Sequence, residues 1–126
     1  INKESSVEVW GSGNQLREFL YVDDLADAAV YFLNLDKKKI DNVVDSSMSH
    51  INIGTGLEIS IRDISELIKS VVGFSGQIVF NNEMLEGTYR KSLDVSKAEK
   101  LGWKYKHRLR ESIEKTYSWF LENYKH

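Results

Sequence analysis

With 126 residues, 41% of them apolar, the chain is long enough to build one domain core, and 17 Lys and Arg against 19 Asp and Glu leave a net charge of −2. That balance offers no attractive field for nucleic acid phosphates. The lack of cysteine excludes a disulfide framework, a thiol nucleophile and a thiolate metal site. His50, His107 and His126 have no ligand spacing, and no apolar run approaches the roughly 20 residues that span a bilayer.

Residues 7–10 and 18–22 read as short strands by their apolar alternation, flanking a turn at Gly11-Ser12-Gly13, with Arg17 at the entrance of the second. Asp23 is the expected cap of a helix whose Leu25, Ala26, Ala29, Val30 and Leu33 follow helical spacing and which ends near Leu35. Residues 36–49, opening with Asp36 and Lys37-Lys38-Lys39, read as a solvated surface loop and the least ordered part of the chain. Residues 51–53 form an expected strand, ended by a turn at Gly54-Thr55-Gly56, where a bare G-x-G is weak evidence for phosphate binding. Ser60 with Asp63 resembles a capping box at the start of a helix carrying Ile61, Ile64, Leu67, Ile68 and Val71 on one face, and Gly73 ends it.

Residues 77–80 read as another strand, and residues 83–92 as a loop. Asp94 is the expected cap of a short helix running to Leu101. Leu109, Ile113, Thr116, Tyr117, Phe120 and Tyr124 mark one face of a final helix, where their helical period assigns the aromatics to packing and not to base stacking. Proline is absent, where average usage predicts about six.

On the residues alone, the glycine turn is a turn and each charge a surface group. The same residues also suit a ligand: glycine lets backbone approach closely, and Arg17 carries a planar fork of donors matched to a diphosphate. No Tyr-x-x-x-Lys pair occurs, because Tyr21, Tyr31, Tyr89, Tyr105 and Tyr117 are each followed four positions later by leucine.

Four segments carry a resemblance. Trp10-Gly11-Ser12-Gly13 with Arg17-Glu18-Phe19 and Val22-Asp23-Asp24 is the first, and Glu86-Gly87-Thr88-Tyr89-Arg90-Lys91-Ser92-Leu93-Asp94 the second. The others are Ser49-His50-Ile51-Asn52-Ile53-Gly54-Thr55-Gly56 and the closing Thr116-Tyr117-Ser118-Trp119-Phe120-Leu121-Glu122-Asn123. Together they resemble the GDP-L-fucose synthase family of extended short-chain dehydrogenase/reductases over nearly the whole chain. The resemblance implies an α/β fold, the carboxyl-terminal substrate-binding part of such an enzyme over residues 1–126, with short strands, about three main helices and the Rossmann core outside this chain. The opening at Ile1 and the missing phosphate-binding half agree with a carboxyl-terminal fragment.

The same resemblance implies a substrate site of Trp10, Arg17, Glu86, Arg90 and Lys91 for a GDP-sugar. Arg17 and Lys91 would serve phosphate, Trp10 a pocket wall, and Glu86 the hydroxyl or amino groups of the nucleotide. Adjacent residues of an extended loop point oppositely, so Arg90 and Lys91 are not expected to face the ligand together. Tyr89 stands where the family has proline, which implies a more mobile loop, and Glu86 stands where it has Asp. The implied reaction is NADPH-dependent epimerisation and reduction of GDP-4-keto-6-deoxy-D-mannose to GDP-L-fucose, in a cytoplasmic enzyme that forms homodimers. Catalytic and cofactor residues would lie in an upstream Rossmann domain, leaving this chain inactive alone. Two alternatives stay open: the equivalent portion of another NAD(P)-dependent sugar-nucleotide epimerase or dehydratase, and a free-standing binding module.

Overall fold

The alternating Val7 and Val9 need a partner strand, and they find it some seventy residues along the chain. In a computed structural model that describes residues 4–45, 47 and 49–124, the elements in chain order are β1 (Ser6–Trp10), β2 (Leu16–Glu18), α1 (Val22–Leu33), α2 (Lys37–Asp41) and β3 (Glu58–Ser60). There follow α3 (Ile61–Val72), β4 (Gln77–Asn81), β5 (Arg90–Lys91), α4 (Ser96–Lys100) and α5 (Leu109–Asn123). They fall into two units. The first comprises Ile1–Arg17, Glu58–Lys91 and Arg108–His126, the second Glu18–Leu57 and Ser92–His107. Ile1 and His126 themselves lie outside the described residues.

In the first unit β1 runs parallel to β4 in the register Ser6↔Gln77 to Trp10↔Asn81, and a three-stranded sheet has the order β3-β2-β5. Parallel strands cannot be joined by a tight hairpin, so β1 and β4 enclose a long excursion that includes α3. Gly11 and Gly13 have φ of 86° and 80°, in the left-handed region that glycine enters freely. A Cβ on Gly13 would lie 2.5 Å from the Phe80 ring. The turn carbonyls also receive the next helix: Gly13 O accepts from Arg62 N at 2.8 Å and Gln15 O from Ile61 N at 2.9 Å. Ser60 caps α3 by accepting from Asp63 N at 3.0 Å while its hydroxyl donates to the Asp63 carboxylate at 2.6 Å, and Gly73 closes it at φ 68°. Within this unit α3 packs against α5, with Ile64 and Ser112 buried.

The second unit is built on α1. Ala28, Ala98 and Trp103 are its buried centre, with Leu20, Tyr31, Phe32, Ile51, Ile53 and Tyr105 packed around them. Burying one large apolar side chain stabilises by about 1.5–3 kcal/mol, so Trp103 is a principal anchor. Its indole nitrogen donates to Asp27 at 3.0 Å, which keeps the one polar atom of the ring satisfied.

Five local expectations are corrected. The strand expected over 18–22 is β2, two residues earlier, because only Leu16–Glu18 finds partner strands; α1 already begins at Val22, and Arg17 is mid-strand. Tyr21 is the N-cap of α1 without a side-chain bond, and Asp23 lies in its first turn. Residues 51–53 form no strand: no neighbour pairs with them among the described residues, and Ile51 and Ile53 are held by packing. Within 36–49, α2 forms because the Asp36 carboxylate caps it, accepting from Lys38 N, and Lys37 bonds Asp41 one turn on. Near Asp94 the N-cap is Val95, although the Asp94 carboxylate still accepts from Ser96 N at 2.9 Å. No helix among the described residues is long and apolar enough to cross a membrane.

Candidate substrate site

All five residues singled out in the sequence lie in the first unit. Strand β2 pairs with β5 in parallel with Leu16↔Arg90 and Arg17↔Lys91. Side chains alternate faces along a strand, so Arg17 and Lys91 share one face and Arg90 lies on the other, with Leu16. On that other face the Arg90 guanidinium reaches Glu58 of β3 at 2.6 Å, and this carboxylate raises its already high pKa. Arg90 is thereby committed to an internal partner, and strand alternation puts Lys91 on the face opposite to it.

Arg17 is half-buried. Its guanidinium donates to Leu16 O at 2.7 Å and makes a long contact of 3.5 Å to Tyr89 O, while Leu16 N donates to Tyr89 O at 2.8 Å. Neither Arg17 nor Lys91 has a carboxylate partner among the described residues. Like charges at register positions repel, at a cost of about 0.2–1 kcal/mol. An anion between them would turn that cost into binding.

Glu86 brings the two sequence motifs together. Its carboxylate accepts from Ser12 N at 2.5 Å, and bonds from Ser12 and then Gln15 hold its pKa below the usual carboxylate range. A Cβ on Gly11 would lie 3.0 Å from Glu86 Cγ, and one on Gly87 would lie 3.2 Å from an Arg17 guanidinium nitrogen. The 86–87 loop thus runs against both the glycine turn and Arg17, and glycine is what lets it approach. Trp10, 64% exposed, ends β1 just before this turn, and Tyr89 is also exposed. Glu58, which takes Arg90 away from Lys91, was not singled out in the sequence, since nothing in Leu57-Glu58-Ile59 marks a partner 32 residues away.

The Gly54-Thr55-Gly56 turn belongs to the second unit, and its Thr55 and Gly56 amides both donate to Glu18. With those donors taken by a carboxylate, it is a turn and not a phosphate cradle. Among the described residues no group of three His, Cys, Asp or Glu converges to hold a metal.

Residues 1–54 match the NAD dependent epimerase/dehydratase family. GDP-L-fucose synthase 1 of Arabidopsis thaliana is 45% identical over 98% of this chain and 35% of its own length. The chain belongs to the extended short-chain dehydrogenase/reductase family. GDP-L-fucose synthase of Escherichia coli is 43% identical over 93% of the chain and 36% of its own length. The crystal structure of a GDP-D-glycero-L-gluco-heptose synthase from Campylobacter jejuni, determined in the presence of NADPH, superposes with a TM-score of 0.82 at 43% identity, covering 93% of this chain and 33% of that one. The chain thus spans about a third of the length of these relatives, their carboxyl-terminal third. The α/β fold with three long helices, α1, α3 and α5, is the one expected for that portion of an extended family member.

Proposed function

We propose that the chain is the substrate-holding portion of an NADPH-dependent enzyme that epimerises and reduces GDP-4-keto-6-deoxy-D-mannose to GDP-L-fucose. The observation that carries this reading is the register pairing of Arg17 with Lys91 on one face of β2 and β5, without an ion-pair partner among the described residues. Arg17 contributes a fork that can bridge two phosphate oxygens, and Lys91 a compact charge beside it. Trp10 offers an exposed apolar wall, and Glu86 secures the glycine turn through Ser12 while leaving acceptor capacity for hydroxyl or amino groups of the nucleotide. Arg90, held by Glu58, shapes β5 and takes no direct part in binding.

The residues of this chain do not fit the nicotinamide dinucleotide. The one additional Gly-x-Gly turn has its amides bound to Glu18, and no Tyr-x-x-x-Lys pair is present. Hydride transfer and epimerisation are therefore assigned to an upstream Rossmann domain, and this chain alone is predicted to consume no NADPH. The work of its own residues is to bind the diphosphate, orient the sugar and exclude water from it.

Thermal protection of the protein by GDP, UDP and dTDP at equal concentration tests the substrate class. Greater protection by GDP is the expected result. Equal or greater protection by UDP or dTDP favours an epimerase or dehydratase acting on another sugar nucleotide, and no protection by any of the three favours a binding module of a different kind.

A further inference from the structure

Glu18 is the neighbour of Arg17 on β2, and its side chain does more than flank a binding residue. Its Oε1 accepts from Thr55 N at 2.5 Å and Gly56 N at 3.0 Å, and its Oε2 accepts from Leu93 N at 2.9 Å. One half-buried carboxylate therefore gathers three backbone donors from two segments that lie 37 and 75 residues along the chain. The approach is close enough to dictate the sequence beside it: a Cβ on Gly54 would fall 2.0 Å from Glu18 Oε1, and Gly56 holds φ 69°. A side chain at 54 would have to displace the Glu18 carboxylate from these bonds.

Leu93 follows Lys91 by two residues, and the backbone pairing of β2 with β5 ends at Arg17↔Lys91. A two-strand ladder of two register pairs is too short to fix its own end, because each backbone bond contributes only about 0.5–1.5 kcal/mol net. The Glu18 bond to Leu93 N continues the ladder by one side chain, immediately after Arg17 on one strand and just past Lys91 on the other. We infer that Glu18 is a positioning residue for diphosphate binding: by clamping Leu93 to the turn at 54–56 it sets the separation of Arg17 from Lys91, without touching the ligand. The inference rests on the reading of Arg17 and Lys91 as the diphosphate cations.

Glu18→Gln tests it with little change of volume. The amide oxygen of glutamine can still accept from Thr55 and Gly56, but its NH2 then faces the Leu93 N–H, donor against donor. GDP affinity by calorimetry should fall about ten-fold in Glu18→Gln. The decisive comparison is a cycle with Lys91→Ala. If Glu18 acts by placing Lys91, Glu18→Gln costs at most about two-fold once Lys91 is gone. Equal losses in both backgrounds would show a purely structural role and overturn the inference, as would an unchanged affinity in Glu18→Gln. Glu18→Asp, which keeps the charge but withdraws it by one methylene, supplies the same cycle should the glutamine variant fail to fold. Failure of the underlying reading has its own signature: Lys91→Ala and Arg17→Ala would then each leave GDP affinity unchanged.

Discussion

The two units treat their charges in opposite ways. In the second, the α1 carboxylates Asp24 and Asp27 are satisfied by the chain itself. Asp24, 1% exposed, accepts from Lys106 N at 3.2 Å, His107 N at 3.1 Å and the His107 ring at 2.9 Å, and Asp27 takes Trp103 and the Lys106 ammonium. In the first, Arg17 and Lys91 stand as register partners without an ion-pair partner among the described residues, although Arg90, next to Lys91, has found Glu58. Charges paired internally contribute structure. Charges left together without a carboxylate, on a strand where the adjacent residue is paired, are what the proposed anion site rests on.

The largest change is expected where the internal pairing is buried. Asp24→Ala removes the acceptor of three bonds and leaves two backbone donors facing an apolar interior, so stability should fall by about 3 kcal/mol in urea denaturation. A loss under about 1 kcal/mol would mean that residues 106–107 find other partners. The acid limb of stability sharpens the same point. Burial raises the Asp24 carboxyl, but the bonds from His107 and Lys106 outweigh it and hold its pKa below the ordinary 3.8. A depressed carboxyl contributes stability that is fully present above its unfolded value and lost as pH falls through the folded one. Stability should therefore drop more steeply below about pH 4 in the unaltered chain than in Asp24→Ala, and identical acid limbs would remove Asp24 from the account.

Gly13→Ala comes next, because φ is positive and the new methyl meets Phe80. A loss of about 1–3 kcal/mol is expected by thermal or urea unfolding. Retention of full stability would mean that the turn adopts another conformation. The smallest effect belongs to Arg90→Ala: with its guanidinium on the far face of β5, GDP affinity should change less than about three-fold. A loss as large as that in Lys91→Ala would place Arg90 among the ligand contacts and dissolve the distinction between paired and unpaired cations.

Elements with local signals were legible in the sequence. Ser60, Asp63 and Gly73 define α3 from its cap to its left-handed end, and the helical spacing from Leu109 to Tyr124 defines α5, because capping and periodicity act within a few residues. Strands β1 and β4 were legible as strands, but their parallel pairing depends on partners 71 positions apart, which no window contains. Residues 51–53 show the reverse error: their apolar alternation is strand-like, yet a strand exists only with a neighbour. The carboxylates were the least legible. Asp23 and Asp24 are indistinguishable as acidic residues at a helix start, and only the return of residues 106–107 assigns the buried role to Asp24. The candidate site came from motif resemblance, and the geometry that divides it, Arg90 toward Glu58 and Lys91 beside Arg17, comes from strand register.

The central claim, that Arg17 with Lys91 forms a diphosphate site, is tested most directly by titrating GDP into Arg17→Ala while unfolding is followed on the same preparation. The account predicts an affinity loss of about ten-fold to over a hundred-fold, corresponding to about 1.5–3 kcal/mol, partly recovered in Arg17→Lys, with the fold intact. Unchanged GDP affinity in a folded Arg17→Ala protein would contradict it.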